Sequence, residues 1–448
     1  MTTSAQVLGK FAAEIKFEDI PAAVIERAKD CVIDTVAVCS FGARFPWSQM
    51  VAGYARRYGR GGPCTVIGFP DMRVHAPYAA LTNGVLAHAY EQDSLRDPGV
   101  GGHPGATLLP AVLAICEEEQ VDGKNALAAF VAGVEVMFRI GLASHHTPEK
   151  IGFHAPGLTG PYAAAVAAGR VLGLDAERMT HALGIAGSLS CGLLAFTKSK
   201  QGAMVKRLHL GRASESGILA ARLAADGYTG PETVLDGKFG FLEAFCQPDG
   251  IEPELLTTEL NQRWETLRIC MKRYACHVNS QTPVQALREL MSEHKFAASD
   301  VLSVTVEGAE RLLSHHDIRE PGDVMQAQYS VPFCVALALY RDPDDPKSFS
   351  ASALEDAEIR AACRNIVLRA REAAGRSPRS TRVIVRLRDG REVARDGDTF
   401  KGMPADPLSR AELHRKFTLL TSDSGAAAAA SLFDRLERME TQKCFSLF

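Results

Sequence analysis

Cysteine is present in this 448-residue chain, but never in the spacings that organise a fold. There is no Cys-x-x-Cys, and the eleven cysteines are scattered. Cys31, Cys39, Cys116, Cys191 and Cys334 lie within apolar runs, where a free thiol behaves as a small hydrophobe. An odd, unpatterned set excludes a disulfide framework and zinc-finger spacing; it fits a reducing compartment, so a cytoplasmic protein is expected. Charge of one sign is also lacking. A formal net charge of -3 gives no electrostatic basis for holding nucleic acid or an anionic membrane, so any anion site must be local. No run of about 18 apolar residues is uninterrupted, and the opening Met-Thr-Thr-Ser-Ala-Gln has no basic segment leading into an apolar one. Neither a membrane span nor a secretory signal is expected. Heptads, low-complexity tracts and solenoid repeats are missing as well.

The familiar catalytic signatures are absent too. No Gly-x-Gly-x-x-Gly follows a strand, and there is no Walker loop, His-Glu-x-x-His or Gly-x-Ser-x-Gly. The enzyme chemistry that remains is proton transfer by side chains, with no cofactor and no metal.

What the chain does have is helix. Pro21 to about Ser40 keeps a 3.6-residue apolar period, and helical signals then run through 77–92, 107–119, 123–144, 160–173, 175–196 and 211–226. Asp122-Gly123 and Gly173-Leu174-Asp175 read as caps and breaks between them. Alanine and glycine dominate these segments, which favours close helix packing in a bundle. After Trp264 the pattern changes. Val301–Glu307 and Thr381–Arg388 alternate with β-branched residues, and Asp389-Gly390 is a hairpin signal. Helical runs at 282–294, 325–340 and 351–362 lie between or beside them, and helix returns from Leu408. The expected fold is mainly α: a helical domain of residues 1–265 plus 405–448, with an α+β lid domain of 270–400 inserted.

Two stretches 51 residues apart open alike. His103-Pro-Gly-Ala-Thr-Leu-Leu-Pro110 and His154-Ala-Pro-Gly-Leu-Thr-Gly-Pro161 each place a histidine seven residues before a proline that opens an apolar run. Each histidine is expected in a loop leading into a helix N-terminus, where unpaired N–H groups favour an anion. Two ordinary helix starts with incidental histidines would read the same way. Asp93, ten residues before His103, could orient its imidazole; otherwise Asp93 caps a turn and His88 fills the core. Lys206-Arg207-Leu-His209 lies between two helical signals and could grip a carboxylate, Arg207 in bidentate fashion, although a solvated loop would carry the same charges. Lys272-Arg273-Tyr274…His277 repeats the idea at the domain junction. His315-His316 is a third polar group, with no third or fourth metal ligand at a telling spacing.

In order and content these pieces resemble the MmgE/PrpD family. The residues that carry the likeness are Asn83-Gly84…His88…Asp93, His103-Pro104, Gly152-Phe-His154…Gly160, Lys206-Arg-Leu-His209-Leu-Gly211-Arg-Ala, Thr229-Gly-Pro231, Lys272-Arg-Tyr274…His277 and Ala327-Gln-Tyr-Ser330-Val-Pro-Phe333. The likeness runs from Pro21 to about Asp398. It implies a large helical domain built from both chain ends, a smaller α+β lid with the active site between them, a homodimer and no metal. Asp93, His103, His154, Lys206 and His277 fall where the family's catalytic residues fall. Arg207, His209, Lys272, Arg273, Tyr274, His315 and His316 would bind substrate. His315 or His316 stands where the family often has a tyrosine. The family contains 2-methylcitrate dehydratases, iminodisuccinate epimerases and cis-aconitate decarboxylases, all acting on small di- or tricarboxylates. The sequence reading ranks a dehydratase-like lyase first and an epimerase second. A decarboxylase and a non-catalytic carboxylate-binding relative rank below these two.

Overall fold

Local hydrogen bonding starts the first helices where the sequence offers an acceptor. In this computed structural model, which describes residues 2–198, 204–372, 377 and 379–447, Thr3 and Gln6 form a reciprocal capping box. The box opens α1 (Ser4–Glu14); α2 (Ala22–Gly42), α3 (Pro46–Tyr58), α4 (Ala76–Ala87) and α5 (Pro104–Glu119) follow. Asp122 accepts the Asn125 N–H at 2.8 Å to cap α6 (Gly123–Ala143). After the single turn α7 (Thr147–Lys150) come α8 (Ala155–Val171) and α9 (Ala176–Gly187), the latter capped by Asp175. The tenth, α10 (Val205–Ala225), completes the set that surrounds the histidines. Helix α1 and helix α3 have no counterpart in the sequence reading. The fold is mainly α, as expected.

The chain divides into two compact units. The first holds residues 1–89, 93–270 and 410–448; the second holds 90–92 and 271–409. In the first unit α6 forms much of the core. It is long and apolar enough to cross a membrane by length and composition, yet 94% of its apolar window is buried within the protein. Its two mid-helix charges find partners inside. Glu135 accepts the backbone N–H groups of Glu265 and Thr266, and Arg139 donates to the carbonyls of Thr258 and Arg263. Helix 410–420 packs on α2, where Lys416 Nζ meets Asp34 Oδ1 at 2.5 Å in a buried pair.

Small residues bring α10 against its neighbours. A Cβ on Gly211 would lie 2.1 Å from the Leu81 carbonyl oxygen, and one on Gly84 2.5 Å from Gly211 Cα, so α4 and α10 meet backbone to backbone. This contact places the start of α10 near the end of α4.

Two helix starts differ from expectation. The sequence placed them near Pro110 and Pro161; α5 and α8 begin at Pro104 and Ala155, with His103 and His154 themselves at the N-caps. Pro104 and Pro156 take the first-turn positions where a missing N–H costs nothing. Pro110 and Pro161 lie inside the helices. The Gly157 carbonyl, which Pro161 cannot serve, receives the Cys191 N–H at 3.2 Å instead.

In the second unit a four-stranded sheet has the order 367–370, 301–308, 381–387, 392–397. Its first pair is parallel and the others antiparallel. Val304 and Val306 stand opposite Val385 and Val383, so the alternating residues share one buried face. Asp389-Gly390 makes the turn, Gly390 at φ +92°. Helix 278–294 packs on strands 381–387 and 392–397.

Candidate active site

Asp93 lies six residues beyond the end of α4 and is 1% exposed. One of its oxygens, Oδ2, accepts two imidazole protons: from His88 Nδ1 at 2.9 Å and from His103 Nδ1 at 2.6 Å. A carboxylate can only accept, so both histidines carry hydrogen on Nδ1 and turn Nε2 away. The neighbouring Ser94 hydroxyl accepts the Gly105 N–H at 3.1 Å, which ties this segment to the first turn of α5. His103 is thereby held between its helix and its carboxylate. His88, which in the alternative sequence reading only fills the core, is a fully buried hydrogen-bond partner of Asp93. The sequence reading names it in the family-like motif but gives it no role in the site.

His154 caps α8, and its backbone N–H donates to the Gly192 carbonyl at 3.0 Å. Its Nδ1 faces His209 Nδ1 at 2.9 Å. One of these nitrogens donates and the other accepts, so the pair holds a single proton between the rings. Phe196 stands edge-on to both imidazoles, with centroids 5.6 Å and 6.0 Å away. The His154 ring lies 6.2 Å from His88, and His88 5.3 Å from His103. Asp93, His88, His103, His154 and His209 therefore form one cluster in the first unit.

The basic run 206–209 was expected as a connection between helices. It forms the first turn of α10, where Lys206 and Arg207 are buried against the bundle. The loop before it, 199–203, lies outside the described residues. The two cations set the local field. Burial pushes His88 down to about 3 despite Asp93, with Lys206 and Arg207 adding to the effect. Burial, then Lys206, then the neighbouring histidines hold His154 well below its ordinary value. Burial and Lys206 lower His209. His88, His154 and His209 are therefore held toward the neutral form beside fixed cations, a setting that attracts a carboxylate.

The other residues singled out from sequence belong to the second unit. Lys272 Nζ pairs with Glu91 Oε2 at 3.2 Å, both buried. Arg273 holds both oxygens of Asp344, at 2.6 and 2.7 Å. Tyr274 is buried, which raises its phenol. His277 caps helix 278–294, and its Nδ1 accepts the Asn279 N–H at 3.3 Å. Its ring lies 4.4 Å from His316 and 4.8 Å from Tyr329. His316 uses both nitrogens internally, Nδ1 donating to the Tyr329 carbonyl at 2.9 Å and Nε2 meeting Asn279 Nδ2 at 3.0 Å; burial pushes it down to about 4. His315 bonds the Ser314 hydroxyl on the surface.

Among the described residues, His88, Asp93 and His103 bring three possible metal donors within 4.8 Å of one another. As they stand, both Nδ1 atoms already bond to the carboxylate, an arrangement suited to fixing protons.

Two family models cover most of the chain. The MmgE/PrpD N-terminal domain matches residues 6–254, and the MmgE/PrpD C-terminal domain matches residues 274–439. Among curated proteins, a cis-aconitate decarboxylase-like protein of Aspergillus oryzae is 33% identical over 326 residues, covering 69% of this chain and 67% of the relative. A cis-aconitate decarboxylase of Aspergillus terreus is 34% identical over 295 residues, covering 63% of this chain and 59% of that protein. The human cis-aconitate decarboxylase is 27% identical over 414 residues, 88% of this chain and 82% of the relative.

Proposed function

The chain belongs to the MmgE/PrpD family, and from that membership we propose that it is a metal- and cofactor-independent lyase that decarboxylates cis-aconitate or a closely related unsaturated tricarboxylate. The observation that carries the proposal is the cluster in the first unit, where two imidazoles with fixed partners, His103 on Asp93 and His154 on His209, accompany the buried cations Lys206 and Arg207. The relatives' names favour a decarboxylase over the dehydratase ranked first from sequence, and over the epimerase.

Decarboxylation of such an acid needs three things. The two carboxylates that remain must be held, the leaving carboxylate must depart as CO2, and a carbon must receive a proton. The C–C bond to the leaving group breaks, its electron pair enters the skeleton and shifts the double bond, and the far alkene carbon takes a proton. Lys206 and Arg207 would hold carboxylate and stabilise charge that develops on the skeleton. A substrate anion raises the proton affinity of the neighbouring imidazoles, so His103 or His154 can be protonated in the complex and deliver that proton. Asp93 and His209 fix which nitrogen faces the substrate. The enzyme would act as a homodimer in the cytoplasm, with neither nucleic acid nor membrane as partner.

The test is a panel of citrate, cis-aconitate, 2-methylcitrate and aspartate-derived acids, followed by NMR and CO2 release. CO2 from cis-aconitate above the other acids supports the reading. Loss of water from 2-methylcitrate without CO2 replaces it with the dehydratase, and inversion at a stereocentre without net loss replaces it with the epimerase.

A further inference from the structure

We propose that His88 is a positioning residue for the reaction, a second donor that aims Asp93 and thereby fixes the tautomer of His103. The inference rests on the proton-transfer reading above and goes beyond it, because His88 is fully buried and acts through Asp93.

The geometry requires two donors on one oxygen. Asp93 Oδ2 receives His88 Nδ1–H at 2.9 Å and His103 Nδ1–H at 2.6 Å. His88 sits at the end of α4, its backbone N–H bonded to the Gly84 carbonyl at 3.2 Å, so its ring starts from a rigid element. Asp93 follows a turn in which Glu91 has a φ of +56°, and the residue itself is 1% exposed. A carboxylate on such a segment needs a bond to a fixed element to keep one oxygen on the His103 ring. His88 supplies such a bond, from the end of α4 to the same oxygen. The far nitrogen of His88, Nε2, is buried without a hydrogen-bond partner. A buried polar atom left in that state is costly. A purely space-filling residue would not need an imidazole there, whereas a donor aimed at Asp93 does.

The consequence lies at His103. Imidazole in water prefers hydrogen on Nε2; the bond to Asp93 reverses that preference and leaves His103 Nε2 as the atom that takes and returns a proton. If Asp93 swings, the tautomer relaxes and the working nitrogen is blocked in part of the population.

The experiment compares His88→Leu, His88→Gln and His88→Asn in the full chain, with imidazole 15N shifts of His103 read without substrate and kcat and KM read with it. The Asn amide nitrogen falls close to the position of Nδ1, whereas the Gln amide is carried one bond too far. The expected result is a single Nδ1–H tautomer in wild type and His88→Asn, and a mixture in His88→Gln and His88→Leu. With it should come a kcat loss of about 10- to 100-fold at nearly constant KM, the scale of a lost bond to a charged group, most of it recovered in His88→Asn. If His88→Leu does not fold, the Gln and Asn pair decides. An unchanged single tautomer in His88→Gln overturns the proposal whatever the activity. A tautomer split in a protein that turns over none of the acids leaves the positioning role standing and rejects the reaction instead.

Discussion

At the scale of single residues, the site turns on which nitrogen of each histidine carries hydrogen. His103→Ala and His154→Ala should each lower kcat by roughly a hundredfold or more, the usual range for a lost general acid or base, with a smaller effect on KM. Steady-state kinetics of either variant at near wild-type turnover would contradict the assignment. Lys206→Ala should raise KM and lower kcat together, because one cation would both hold the ground-state carboxylate and stabilise growing charge; salt titration of both constants checks it. Buried histidines also write a pH signature on stability. His88 and His316 are pushed to about 3 and about 4 from an ordinary value of ~6.5. The unfolded chain therefore binds protons that the folded chain refuses, so stability is full above pH ~6.5 and is lost as pH falls toward 4. Urea midpoints should fall across that window, and His316→Asn should flatten the slope. Asp93, His103 and His154 were legible because an acid and two histidines stood beside proline-marked helix starts. The His88 and His209 bonds were not, since both depend on where α4 ends and α10 begins in space.

At the scale of elements, periodicity found helices and alternation found strands, but proline misled at two helix starts. The sequence rule treats a proline as a helix opener; inside α5 and α8 the bundle tolerates it, and in α8 a neighbouring segment serves the freed carbonyl of Gly157. The run Lys206–His209 was placed between helices, as a carboxylate grip or a solvated loop; it is helical, with Lys206 and Arg207 buried against neighbours that small residues let approach. Gly211 is the test of that approach. Gly211→Ala forces a methyl group 2.1 Å from the Leu81 carbonyl oxygen, and α4 and α10 must separate. A loss of about 1–3 kcal/mol in urea unfolding is expected, with reduced kcat because His88 and His209 ride on the two displaced helices. Unchanged stability would mean that α4 and α10 do not meet through their backbones.

At the scale of the whole molecule, the first unit draws on both ends of the chain, and the Asp34–Lys416 pair joins them. Lys416→Met leaves a buried carboxylate without this cation and should cost about 3–5 kcal/mol, read as a lower urea midpoint. The same scale carries the chemical claim. Activity should survive exhaustive chelation; loss on chelation with recovery in one divalent ion would recast His88, Asp93 and His103 as metal ligands. The most direct measurement is turnover of cis-aconitate in D2O followed by 1H and 13C NMR. CO2 release should be matched one for one by a product carrying a single deuterium at the carbon that received the proton, with both signals lost together in His103→Ala or His154→Ala. Addition of water without CO2, or turnover undiminished in both variants, would contradict a decarboxylase built on these two histidines.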